Sequence, residues 1–434
     1  MMKEKVCWVL TILPLVALFV GLPCFSFAND VDILMQKLVE KGVLTKEDSE
    51  GILQEIKKES EKQEKAKQES EKEEKPKVAE APDWIKEIPD WVKNIKFKGD
   101  LRLRYQRENT EDDNRDDRNR GRIRLRLGAE TKVVDEVKVG FGIASGSGDP
   151  RSTNQTLDNT FDKDNINIDY AFAEYTPFKW LSLIGGKFHN PIWRPYDLLW
   201  DSDITPEGAA VQVRHEIVPH LKFFSNLGFF ILDERNAAPP GDDDDPYMFV
   251  IQPGVNWSIV KDINLQLAFA YYIFQGVEDN VLDFSSNTNT RVGGLNRFNY
   301  SAPVISAELG FKNPFHLTFI PSLKVFGEYV QNPDPSDEDK GWIAGLKVGH
   351  PSMKKFGDWS FDYSYRRLEK DAWPDAFADS DFFFGGTGVK GHEVVFNFGL
   401  WKNIWLAFDY YNVQQILTPK SHQYVFQTDL NFKF

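Results

Sequence analysis

The chain has 434 residues, with 66 Asp and Glu against 52 Lys and Arg, and a formal net charge of -14. No basic field exists to gather phosphates, which excludes nucleic acid as a partner. Aromatics make up 14 % of the chain, Phe alone numbering 34, while mean hydropathy is only -0.44; this is too polar for a bundle of membrane helices and suits half-buried pleated surface.

In chain order, Lys3 and Lys5 precede an apolar run from Val6 to Phe25, and Ser26-Phe27-Ala28 supplies the small residues of a cleavage site. Residues 1–28 therefore read as a secretory signal peptide. Both cysteines, Cys7 and Cys24, fall inside it, so the exported part has no disulfide, thiolate metal site or cysteine nucleophile. Residues 29–56 read as a helical hairpin, a candidate for oligomerisation: Asp30 caps the first helix, Gly42 stops it, and Thr45 with Asp48 has capping-box-like spacing for the second. Residues 57–95 form a charged spacer and linker. From Lys57 to Lys77 there are eight basic and seven acidic residues and no large apolar side chain, as in a solvated helix or a disordered spacer. A near-repeat follows, Pro82-Asp83-Trp84-Ile85 and then Pro89-Asp90-Trp91-Val92. Its tryptophans suit a membrane interface, the end of a barrel, or simple packing of the linker.

From residue 96 to 434 the pattern alternates with a period of two. Ile123, Leu125 and Leu127 alternate with Arg122, Arg124 and Arg126, and Tyr424, Phe426, Leu430 and Phe432 share one face against Gln427, Asp429 and Asn431 on the other. About sixteen segments of roughly ten residues follow this rule, the length of a tilted transmembrane strand. Among them are 96–107, 119–132, 135–145, 390–400, 402–412 and 422–434. Short links such as Val133-Val134 and Val260-Lys261 alternate with long polar ones, including 146–164, 189–205, 276–300 and 369–389. Short turns on one rim and long loops on the other predict an all-β fold: a transmembrane antiparallel β-barrel of about 16 strands, 96–434, carrying an N-terminal periplasmic helical and charged extension.

The stretches KFKGDLRLRYQ, NPIWRPYDLLWDSDITPEGAAVQ and KGHEVVFNFGLWKNIWLAFDYYN, behind a helical and charged N-terminus, resemble the putative porin family of Gram-negative outer membranes, with a looser similarity to phosphate-selective porins. The resemblance spans nearly the whole exported chain. It implies a barrel of the sixteen-strand class, a homotrimer, and a location in the cell outer membrane among lipid and lipopolysaccharide. Phe434, in an aromatic strand, resembles an outer-membrane assembly signal.

If the apolar alternates face lipid, the opposite set lines the lumen. Arg102, Arg104, Arg122, Arg124 and Arg126 then form one basic wall on two adjacent strands, and Arg366 is a more distant candidate for the same lining. Such a wall selects anions, or else pairs with lumenal Asp and Glu merely to make a polar interior. In the third long loop, Trp193, Arg194, Tyr196, Asp197, Trp200, Asp201 and Asp203 are candidates for a constriction, with an external cap as the alternative. The acidic runs Glu111-Asp112-Asp113, Asp116-Asp117 and Asp242 to Asp245 have no EF-hand spacing, so no metal site is assigned. The histidines lack metal-ligand spacing and no GxSxG elbow occurs. In Lys390-Gly391-His392-Glu393 the two candidate acid-base residues point to opposite faces of a strand. No catalytic residue and no cofactor are expected.

The function these features predict is a water-filled channel for passive diffusion of small hydrophilic solutes or ions, leaning toward anions through the arginine wall. The alternative is a structural outer-membrane protein that tethers the envelope by cell-wall contact through residues 29–95.

Overall fold

The computed structural model describes residues 89–111, 116–235, 245–417 and 421–434. The predicted signal peptide, hairpin and spacer lie outside them, as do Trp84 and most of the acidic runs. Among the described residues there are nineteen strands, three of only two residues, and the other sixteen build one barrel. These are β1 (Lys96–Thr110), β2 (Arg118–Val134), β3 (Val137–Ser145), β4 (Ile166–Phe178), β5 (Leu181–Lys187), β6 (Glu207–Val218), β7 (Leu221–Ile231) and β8 (Tyr247–Val260). They continue as β9 (Ile263–Gln275), β10 (Ala302–Lys312), β11 (Ser322–Gln331), β12 (Lys340–Gly349), β13 (Trp359–Leu368), β14 (Val389–Trp401), β15 (Ile404–Gln415) and β16 (His422–Lys433). Each pairs antiparallel with its sequence neighbour, and β1 pairs with both β2 and β16, so the sheet has no free edge. Closure satisfies every ladder hydrogen bond within the wall, which a strand in hydrocarbon requires.

The seam between first and last strands uses the end of the chain. Gly99 and Phe434 exchange both backbone hydrogen bonds, at 2.8 and 3.0 Å. A Cβ on Gly99 would stand 2.6 Å from the Phe434 ring and 2.8 Å from the Arg126 carbonyl. Gly99→Val therefore costs about 1–3 kcal/mol of overpacking. It is expected to lower the temperature at which the folded barrel loses its fast gel mobility; an unchanged midpoint would show that the seam yields freely. Beside the seam, a helical turn, α1 (Asp90–Lys93), is tied to β2 by the Thr131 hydroxyl, which donates to the Trp91 carbonyl at 2.6 Å.

The outer face is apolar, with Leu103, Phe141, Ile168, Phe249, Phe269 and Ile305 all exposed. Exposed aromatics gather at the short-turn rim, among them Phe178, Trp180, Phe315, Phe356 and Trp401. A lipid-height belt edged by aromatics is what a bilayer demands of a barrel surface.

The inner face is graded along each strand of one half of the barrel. On β8, Met248 and Val250 near the long loops give way to Gln252, Asn256 and Ser258 near the turns. On β9, Phe274 and Tyr272 near the long loops give way to Gln266. Pleating points all of these inward, so the long-loop half of the interior is oily there and the turn half is wet. The lumen is therefore not uniform: its oily half must be covered, and the loops cover it.

Candidate solute pathway

The β1–β2 register sets Arg102 opposite Arg124 and Arg104 opposite Arg122 on the inner face. Like charges directly opposite repel, so the wall stands only because carboxylates intervene. Arg104 chelates Asp429 of β16, Nε to Oδ1 at 2.7 Å and Nη2 to Oδ2 at 2.8 Å. Arg124 and Arg126 share Asp100, each Nε donating at 2.9 and 2.8 Å. Arg102 lies 3.6 Å from Asp429 and donates to Asn154 at 2.5 Å. Arg122 differs from the rest. It donates only to neutral acceptors, Gln106 Oε1 at 3.2 Å, Ser152 Oγ at 3.3 Å and the Asn154 carbonyl at 3.4 Å.

The 189–205 loop runs through the interior and does not cap it. Its residues reach strands on every side. Trp193 exchanges hydrogen bonds with Gln252 at 2.7 and 2.8 Å, and the Tyr196 ring stacks on Phe326 at 5.0 Å while its hydroxyl donates to Glu393 at 3.1 Å. Asp203 accepts from Arg126 at 3.3 Å and from the amide and hydroxyl of Thr153 at 3.0 and 2.9 Å. Leu198, Leu199 and Trp200 are buried and complete the oily half. The guanidinium of Arg194 donates back to the Asp201 carbonyl at 3.4 Å and stiffens the loop.

A second loop, 369–389, joins it; by pattern it is a long polar connection, yet it enters the interior. Trp373 packs edge-on against Tyr272 and Phe274 at 4.9 and 5.4 Å, and Phe377 stacks on Trp200 at 4.9 Å. The 201 amide donates to the Phe377 carbonyl at 2.8 Å, and the Asp201 carboxylate accepts from the Ser380 amide at 2.9 Å. Its aromatic run, Trp373, Phe377 and Phe382-Phe383-Phe384, was the available signal, since a solvated loop has no use for it. The 276–300 loop fastens the assembly from above: Asp375 accepts from Ser285, Thr288 and Asn289, and Asp371 accepts from Thr290.

Arg366 does not extend the wall. It projects from β13, is 2 % exposed, and lies enclosed by Asp197 at 2.8 Å, Asp379 at 3.1 Å and Glu393 at 2.5 Å, with Phe382 4.3 Å over its guanidinium. It clamps both loops to the barrel. His392 faces outward, Nδ1 2.8 Å from the Tyr363 hydroxyl, while its neighbour Glu393 faces in.

The loop carboxylates divide by their surroundings. Burial raises Asp203 and Asp381, yet the arginines outweigh it and hold both below the ordinary carboxylate range: Arg124, Arg126 and Arg102 for Asp203, Arg104 and Arg122 for Asp381. Burial and then the Asp203 charge push Asp201 up to about 8. Two carboxylates thus meet the wall as anions, and the third behind them holds its proton to a higher pH.

The Arg126–Asp203 and Arg104–Asp381 contacts, at 3.3 and 3.2 Å, stand between two open spaces. On the turn side is a cavity of about 1460 Å³ roofed by Trp193, Arg194 and Ser202 and walled by Gln212, Asn256 and Gln266. On the long-loop side is one of about 340 Å³ under Arg118, Arg120 and Arg122.

A closed sixteen-stranded barrel with an apolar belt, and loops folded into a charged lumen, defines an outer-membrane channel protein. The chain belongs to the putative porin family, whose profile matches residues 76–117, 112–301 and 298–434. Among solved structures it is similar to the high-pH structure of Pseudomonas putida OprB, at 13 % identity and a TM-score of 0.51, over 81 % of this chain and 97 % of that one. Salmonella typhi OmpF in complex with daunomycin is similar at 11 % identity and a TM-score of 0.46, over 78 % of this chain and 98 % of the other. A variant of the Rhodopseudomonas blastica porin gives 12 % and 0.44, over 78 % and 100 %. No curated protein matches the chain.

Proposed function

We propose that the protein is a non-enzymatic channel for passive diffusion of small hydrophilic solutes, with the long loops outward, the N-terminal extension in the periplasm, and anions mildly favoured. The observation that carries this reading is the charged half of the interior, where wall arginines meet loop carboxylates in contact pairs, with open space on the turn side and on the long-loop side. Facing charges of opposite sign set up a transverse field that admits polar solutes and rejects apolar ones. Asp100, Asp203, Asp381 and Asp429 compensate most of the wall, which leaves Arg122 and the exposed Arg118 to bias the mouth toward anions. The family supports a homotrimer in the outer membrane, a lipid and lipopolysaccharide setting.

Planar-bilayer recording of the purified protein is expected to give ohmic steps. In a KCl gradient the reversal potential takes the sign of chloride preference and moves toward potassium in Arg118→Ser/Arg122→Ser. A folded, heat-modifiable barrel that never conducts overturns the channel; an unmoved potential removes these two arginines from its selectivity.

A further inference from the structure

The cavity of about 340 Å³ at the long-loop side is built as more than a vestibule. Three guanidiniums line it from β2, at positions 118, 120 and 122, on one inward face. Residues two apart on a strand stand roughly 7 Å from one another, so Arg118 and Arg122 are about 13 Å apart with Arg120 between them. The middle one is answered by Glu108 at 2.8 Å, and a fourth guanidinium, Arg151, is occupied by Asp149 and by the 375 and 385 carbonyls.

The outer two are different. Neither Arg118 nor Arg122 makes an ion pair among the described residues, and the three acceptors of Arg122 are neutral and 3.2 to 3.4 Å away. The buried Nε of Arg122 and of Arg120, and Oε1 of Gln423, have no partner among the described residues. A guanidinium whose own hydrogen bonds are long and neutral, with the Asp381 charge near but not paired to it, gains from an incoming carboxylate, which offers two charge-assisted hydrogen bonds at once. Three carboxylates, Glu108, Asp149 and Asp381, also line it, and most of the remaining lining is hydroxyl and amide: Ser147, Ser152 and Ser380 with Gln106, Asn154 and Gln423. Only Val425 and Phe384 are apolar. The volume is at the lower end of the roughly 300–1,000 Å³ of small-molecule sites, too little for an oligomer.

We propose that this cavity is a recognition site for a small polyhydroxylated carboxylate, a sugar acid, whose carboxylate is gripped by Arg122 with Arg118 at the entrance and whose hydroxyls meet the serines and amides. The proposal deepens the channel reading, and its test does not depend on conduction. Asp381 lines the same cavity and reaches through to Arg104, so it is a fixed negative charge beside the bound carboxylate and opposes it.

Calorimetry on the detergent-solubilised full chain, with gluconate, glucose and inorganic phosphate as probes, tests this directly. Gluconate is expected to bind saturably, glucose not to bind at the same concentrations, and phosphate to bind more weakly than gluconate. Arg118→Gln/Arg122→Gln is expected to weaken gluconate by about tenfold or more through loss of the charge-assisted contacts, while Asp381→Asn tightens it by removing the opposing charge. That gain of affinity distinguishes a site from mere damage to the fold. Equal binding of gluconate and glucose, no binding of gluconate by the folded native protein, phosphate binding as tight as gluconate, or an unchanged affinity in the arginine variant each overturns the proposal. A protein that conducts without binding gluconate loses this site alone; one that binds without conducting loses the channel alone.

Discussion

Replacing Tyr196–Asp203 by a flexible Gly/Ser linker of equal length is expected to raise single-channel conductance severalfold. The replaced segment reaches from Arg126 on β2 to Phe326 on β11 and Glu393 on β14, and it holds the 369–389 loop through Asp201. The segment bridges several sides of the lumen, so the narrowest cross-section is expected here, and a sixteen-stranded barrel cleared of it is wide enough for an aqueous channel. Single Asp203→Asn, which removes only the charge facing Arg126, is expected to raise conductance far less and to shift selectivity toward anions. Heat modifiability on a gel verifies that both variants are folded. Native-sized steps from the folded linker variant would place the narrowest point elsewhere and demote this loop to packing.

Arg366→Leu is expected to be the most damaging single substitution in the barrel. Three carboxylates, Asp197, Asp379 and Glu393, converge on its guanidinium where almost no water reaches. Burial and the Asp197 charge already push Asp379 well above the ordinary carboxylate range even with Arg366 present. Breaking a buried pair by deleting one partner costs about 3–5 kcal/mol because the survivor is left uncompensated. The expected result is a large drop in the unfolding midpoint, with noisy, larger openings as both loops loosen from β13. Adding Glu393→Gln to Arg366→Leu is expected to recover part of the midpoint, since it removes one of the stranded charges. A variant as stable as the native protein would mean that the carboxylates simply take up protons and the clamp is dispensable.

The barrel was largely legible in the sequence, because alternation with period two and short turns are local properties that the bilayer enforces on each strand. The predicted 119–132 is observed as Arg118–Val134 and 422–434 as His422–Lys433. Departures occur at strand ends: 135–145 begins at Val137, because Asp135 and Glu136 form the turn, and 402–412 runs on to Gln415 because pairing with β14 continues above the membrane. The inward direction of the arginines was legible for the same reason. Their partners were not. Arg104 meets Asp429, 325 residues away, and Arg126 meets Asp203, 77 residues away, and those pairings depend on barrel closure and loop folding that no strand pattern encodes. The least legible segment was 369–389: it reads as a long polar link, yet Trp373 and Phe377 belong to the interior. Arg366 was assigned to the lining from its face alone, and only the fold of two loops shows that it is walled in.

The seam described above also has a bearing on assembly. Before β16 arrives, Arg102 and Arg104 on β1 confront Arg124 and Arg122 on β2 with no Asp429 among them. An open, incompletely zipped barrel is therefore electrostatically frustrated at its leading edge, and the final strand relieves that frustration while supplying the last row of backbone hydrogen bonds. The wall arginines would then act, once in the life of each molecule, as a check on closure: a chain that docked any strand lacking the carboxylate of Asp429 at that register would leave Arg102, Arg104 and Arg122 uncompensated at its own first hairpin.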